Sequence, residues 1–160
     1  MRIDNTSTGD APGTTQRSPG MALGFDVIAI LLFALLARIA HNTPEMPLSF
    51  GGWVDTSWPF LTGLAIAWAL LWIGLARPRG AKGESFSGIE FSTGALVWIV
   101  TVIVGLGIWG ARHAEVPHWS FMIVATVMSG LLLFGWRGMF RLGRLRRLSR
   151  MKRMGRMFGK

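Results

Sequence analysis

From Val116 to Trp136 the chain runs 21 positions without a charged residue. At Arg137 it turns into a tail with ten Lys and Arg and no acid. As a helix, the apolar run is long enough to cross the roughly 30 Å hydrocarbon core of a bilayer. The basic tail then fixes the side on which that helix ends, because Lys and Arg are retained on the cytoplasmic face. Everything upstream has to be threaded to meet that end point.

The remaining composition agrees with a membrane solvent. Hydrophobic residues make up 51% of the chain and charged residues 16%, against about 25% charged in an ordinary soluble domain. The charges are also segregated, where a soluble helical protein would spread polar residues along each helix. The net charge of +9 therefore describes a tail and not a basic domain. The absence of Cys excludes disulfides, thiolate catalysis and Cys-ligated metals.

Three further spans precede the last one. Residues 1–20 are rich in Thr, Ser, Gly, Pro and Asp and read as a disordered lead, too poor in apolar side chains to offset ordering entropy. The first span covers 21–40 and is the weakest, since its strictly uncharged part, 27–37, is only 11 residues. A loop with Gly51-Gly52 and no Lys or Arg leads to the second span, 56–76, with Pro59 in its first turn, where a missing N–H costs least. A loop with Arg77, Arg79 and Lys82 leads to the third span, 91–111, and a tight connection to the fourth, 116–136. The predicted architecture is all-α: a four-helix transmembrane domain over 21–136, followed by a basic juxtamembrane tail over 137–160.

Counting Lys and Arg by side gives two in the lead, three in the second loop and ten in the tail, against none in the first loop and one in the third. With four spans these fifteen fall together. The expectation is a multi-pass protein of the cell (plasma) membrane with both termini cytoplasmic. Trp53, Trp58, Trp109 and Trp119 then gather at the outer interface and Trp72, Trp98 and Trp136 towards the inner one, as aromatic belts require. Trp68 alone falls deep. The two hairpins look alike, with Trp58-Pro59-Phe60 opening the second span and Trp119-Ser120-Phe121 the fourth.

Small residues mark helix contacts in lipid. Gly63-x-x-x-Ala67, then Gly105, Gly107 and Gly110, then Ala125-x-x-x-Ser129 with Gly130 predict bundle packing first. A homodimer or larger membrane complex is the alternative use of such faces.

The candidate intramembrane polar site is Asp26 with Arg38 and Arg137. At 100° per residue, Ala29, Ile30, Phe33, Ala37 and Ala40 lie within about 60° of Asp26, so the acid points into the bundle. One reading is structural: a first-turn acid on free N–H groups, or a partner of Arg137 or Arg77, which leave their spans on the same side. The other is a proton- or substrate-linked site, the default for an acid in a span. At the outer end, His41, Asp55, Arg112 and Glu115, with Arg38 and Glu45 nearby, form a candidate ion-pair cluster. His113 and His118 are five apart, not the spacing of a helical metal pair, so neither metal nor cofactor is expected.

In the tail, Leu142, Leu145, Leu148, Met151, Met154 and Met157 recur every third residue. Three residues turn an α-helix by −60°, so this stripe winds nearly round the cylinder. With Gly143, Gly155 and Gly159 weakening it further, a fluctuating or broken helix lying on lipid is expected. Anionic phospholipid headgroups are the partners assigned to Arg141, Arg144, Arg146, Arg147, Arg150, Lys152, Arg153 and Arg156. RNA is the rival, and lipid is the nearer polyanion for a tethered tail.

No nucleophile–His–acid grouping, phosphate loop or zinc spacing occurs, so an enzyme is not expected. The leading functional expectation is a small non-enzymatic scaffold or accessory subunit with a lipid-binding tail. The alternative is a small proton- or cation-linked transporter or channel subunit using Asp26.

Several motifs also carry a resemblance: Asp26; Arg38 with His41; Trp58-Pro59-Phe60 with Gly63; Trp98 with Thr101; Phe121-Met122-Ile123-Val124-Ala125; and Gly135-Trp136-Arg137. Over about 110 residues the pattern resembles a prokaryotic membrane-protein family known only as domain of unknown function number 3054. The resemblance implies a four-helix integral membrane protein. It supplies no activity, since the family has none assigned.

Overall fold

The computed structural model describes residues 19–41, 47–75 and 88–158, without the side chains of 144, 147, 148 and 150–158. The lead, Glu45 and the second-loop cations Arg77, Arg79 and Lys82 lie outside the described residues. So do the side chains of Arg144, Arg147, Arg150, Lys152, Arg153 and Arg156.

Four helices make up the fold: α1 (Pro19–Ala40), α2 (Phe50–Trp72), α3 (Phe91–His113) and α4 (Trp119–Phe158). Each contains a stretch long and apolar enough to cross a membrane, Trp119–Gly143 in the case of α4. Each helix packs on its neighbours in the chain, and α4 closes the ring against α1. The chain is an all-α, multi-pass four-helix membrane bundle.

The closest approach, α2 on α3, follows from missing side chains. A Cβ on Gly63 would stand 2.8 Å from the Thr101 carbonyl oxygen and 2.9 Å from its Cα, so α2 rests on the bare backbone of α3. In return, Gly105 on α3 leaves room for the ring of Phe60. Without a hydrophobic force between helices in lipid, such close backbone approach supplies the attraction. Gly130 similarly seats the indole of Trp98, and Ala125 and Ser129 are buried beside it. Gly107, expected on a contact face, meets nothing within 4 Å.

Four expectations need correction. α2 begins at Phe50 and not at residue 56, because Ser49 caps it, its hydroxyl accepting from Gly52 N at 3.1 Å. Pro59 therefore lies inside the helix, where it withholds one backbone N–H. The likeness between hairpins fails with it, since Trp119 opens α4 while Trp58 is well inside α2. α1 begins at Pro19, so Asp26 is its eighth residue and lies beyond the first turn. Finally, α4 does not break at the start of the tail. It continues as one helix of 40 residues, about 60 Å long. A segment that extends an existing helix avoids the nucleation cost that an isolated one must meet, and this outweighs the glycines.

α2 ends where Gly74 takes a left-handed φ of +79°, the usual glycine stop. Glu90 precedes α3 as its N-cap residue, and Thr93 Oγ1 donates to Glu90 Oε2 at 3.4 Å.

Candidate functional site

Asp26 is brought inward by the face of α1 that also buries Ala22, Ala29, Ile30, Phe33 and Ala34. Ala40, expected on that face, is exposed, and the buried stripe passes through Arg38. At 0% exposure, a bare carboxylate in this setting would cost several kcal/mol (about 2.5–3.5 by insertion scales). The structure surrounds it with donors.

Arg137 approaches from α4 as a two-pronged fork. Its Nη1 donates to Asp26 Oδ1 at 2.7 Å and its Nη2 donates to Oδ2 at 2.9 Å. Trp136 Nε1 adds a bond to Oδ1 at 2.9 Å, and Trp68 Nε1, from α2, adds one to Oδ2 at 3.1 Å. Each carboxylate oxygen thus accepts two N–H bonds, which fills its four lone-pair positions. Three helices contribute to one carboxylate.

The guanidinium is nearly as well occupied. Nη1 also donates to Leu133 O at 2.8 Å, and Nη2 to Gly88 O at 3.4 Å. Four of its five N–H groups therefore have acceptors, and Nε is buried without one. Its Cζ lies 4.4 Å from the centroid of the Trp136 ring, which stacks in turn on Phe25 at 5.2 Å. Space for the arginine comes from α3. A Cβ on Gly94 would stand 2.9 Å from both Cδ and Nε of Arg137. Gly88, at φ +73°, lets the backbone pass close over Trp68 and Ala22. Arginine is suited to this seat, since only a planar fork can hold both carboxylate oxygens at once.

The sequence grouping of Asp26, Arg38 and Arg137 is split by this geometry. Asp26 and Arg137 form the site, with Arg137 taking the place for which Arg77 was the other candidate. Arg38 stands twelve residues further along α1, about 18 Å away, where its Nε donates to Thr56 Oγ1 at 2.8 Å.

The cluster expected at that end reduces to one pair. Arg112 Nη1 donates to Asp55 Oδ1 at 2.7 Å, with the two side chains 42% and 46% exposed. The Arg112 guanidinium lies 5.4 Å from the centroid of Trp58. His41 turns back on its own helix, its Nδ1 donating to Ala37 O at 3.0 Å. Glu115 is exposed, and its backbone N–H closes α3 on Gly110 O at 3.3 Å. His113 donates from Nδ1 to Trp109 O and stacks on that ring. Among the described residues no group of three His or acidic side chains is placed to hold a metal. Of the cations assigned to lipid, Arg141 and Arg146 are exposed on α4.

The two indole donors are the part that sequence reasoning missed. A signal was present. Trp68 is the one Trp far from either belt, a buried indole N–H in lipid requires an acceptor, and Asp26 is the single acid within the four spans as read from the sequence.

Neither a curated protein nor a solved structure matches this chain. The family described as Protein of unknown function (DUF3054) matches residues 23–140, from just before Asp26 to just past Arg137. The match covers most of the first and last spans, the whole of the two between them and both partners of the buried ion pair, and the chain belongs to that family.

Proposed function

We propose that this protein is a non-enzymatic scaffold or accessory subunit of the plasma membrane, in which the Asp26–Arg137 site holds the bundle together. One observation carries the reading. All four lone-pair positions of the Asp26 carboxylate are occupied by N–H donors from three Trp and Arg side chains, at 0% exposure. A carboxylate that carries a proton or cation must release its partners and meet water during each cycle. This one is enclosed by donors that would all have to leave.

Both termini are placed in the cytoplasm, on the support of the Lys and Arg asymmetry between loops. The tail is assigned to anionic phospholipid, each cation contributing about 1 kcal/mol near such a surface. The chain acts by presenting this surface and the bundle to membrane partners, a second copy of itself included, and not by chemistry.

Proteoliposomes test the central point. Wild type and Asp26→Asn are both expected to show no pH-linked flux, with the variant less stable in detergent. Flux present in wild type and lost in the variant would sink the scaffold reading. Recovery of a stoichiometric membrane partner on gentle purification is the positive result. Orientation is read separately. Because the chain has no Cys, a single Cys placed at position 160 is expected to resist a membrane-impermeant maleimide added to intact cells.

A further inference from the structure

At the bundle end away from the basic tail, Arg38 is only 8% exposed. Its Nε donates to Thr56 Oγ1 at 2.8 Å, and that hydroxyl is held in turn by donating to Gly52 O at 2.9 Å. The side chain is therefore fixed at one edge. Among the described residues its other edge is not engaged. Among the described residues the ion pairs are Arg112–Asp55 and Arg137–Asp26, and neither terminal nitrogen of Arg38 has an acceptor. Among the described residues the buried side-chain atoms without partners are Thr101 Oγ1 and Arg137 Nε, and Nη1 and Nη2 of Arg38 are not counted with them.

The free edge lies against the start of α2. A Cβ on Gly52 would stand 2.8 Å from Cζ, 3.0 Å from Nη1 and 3.1 Å from Nη2 of Arg38. Gly52 is thus the opening that admits the guanidinium to the first turn of that helix. Ser49 caps the Gly52 amide, while the amides of Phe50 and Gly51 have no acceptor within the helix, as at any helix start. The arrangement sets a cation beside the positive end of a helix dipole. Arg137 has a carboxylate on its fork; Arg38 has a second positive group beside it and, among the described residues, no anion. A guanidinium fixed through Nε presents Nη1 and Nη2 as a two-pronged donor, and free amides at a helix start favour the same kind of guest. Both call for one anion with at least two oxygens to share.

We propose that Arg38, Gly52 and the first turn of α2 form a phosphate site, filled by the phosphodiester of a phospholipid in the adjacent leaflet. Depth selects the lipid over a soluble anion. Arg38 is two residues from the end of α1 and Gly52 two residues into α2, each about 3 Å along its axis. Helices of 22 and 23 residues just span the hydrocarbon, so their ends lie at the level of the headgroups. This site is independent of the tail and of the scaffold reading.

The test is native mass spectrometry of the full chain in mild detergent, titrated with phosphatidylglycerol at about 0.5 M salt, where binding to the basic tail is screened. Wild type is expected to retain one lipid. Arg38→Gln is expected to weaken retention about ten-fold or more, and Arg38→Lys less, since the charge persists without the fork. Gly52→Ala keeps the charge and closes the opening, and is expected to match Arg38→Gln. It decides the matter alone if Arg38→Gln does not fold. Arg141→Gln is expected to change nothing under these conditions. Equal retention by wild type and Gly52→Ala overturns the proposal. Inorganic phosphate bound without lipid overturns the choice of occupant. Retention that appears only in Glu45→Gln overturns it as well, showing the chain's own acid on Arg38.

Discussion

The two ion pairs among the described residues have the same contact distance and different physics. Arg137–Asp26 and Arg112–Asp55 both measure 2.7 Å. The first has side chains 3% and 0% exposed, the second 42% and 46%. Around Asp26 two indoles and a fork fill every acceptor position, whereas the Asp55 pair shares its screening with water and with one Trp face. A short distance alone therefore says little about what a pair contributes. What matters is how much of the charge would be left stranded if one partner went.

The sharpest way to break that comparison is to remove one cation from each pair. Arg137→Gln leaves Asp26 buried and uncompensated, and a loss of about 3–5 kcal/mol is expected, read as a lower Tm in detergent or loss of monodispersity. The double variant Asp26→Leu with Arg137→Met is expected to recover part of it, because both charges leave together. A Tm for Arg137→Gln equal to that of Arg112→Gln would erase the distinction.

Next comes Trp68→Phe, which keeps a ring and removes one N–H from Asp26 Oδ2. The expected cost is about 1–3 kcal/mol, and it should largely vanish in the Asp26→Leu/Arg137→Met background if the indole acts through the carboxylate. Arg112→Gln is expected to cost at most about 1 kcal/mol, and less as salt rises. A salt-insensitive loss there would contradict the exposure of the pair. The smallest effect concerns Thr101, whose buried hydroxyl has no partner among the described residues. Thr101→Val, of the same shape, is expected to be neutral or slightly stabilising, and a marked loss in Tm would reveal an acceptor.

Much of this was legible in the chain. The spans follow from uncharged runs, and Asp26 and Arg137 are visible as a charge at the head of one apolar run and another at the foot of the last. Choosing Arg137 over Arg77 was beyond the sequence, because both leave their helices on the same side. The role of Trp136 was obscured by a simpler reading, since a Trp beside a basic tail looks like a belt residue whichever way its N–H points. The start of α2 was misplaced because the uncharged run begins only after Asp55, and Pro59 then falls where a first turn tolerates it. The Ser49 cap and the packing of Gly63 on α3 extend the helix past it. Arg38 was legible as a rim cation, but its burial depends on Gly52, whose missing side chain matters only once α2 lies beside α1.

Asp26 and Arg137 are 111 residues apart in the chain. During synthesis the acid therefore enters the translocation path long before its guanidinium has been made. Until α4 is made, Trp68 of α2 is the one donor to this carboxylate, among those described, that the chain already holds. A chain cut short before Trp136 would lack three of the four N–H bonds that satisfy Asp26 in the finished bundle.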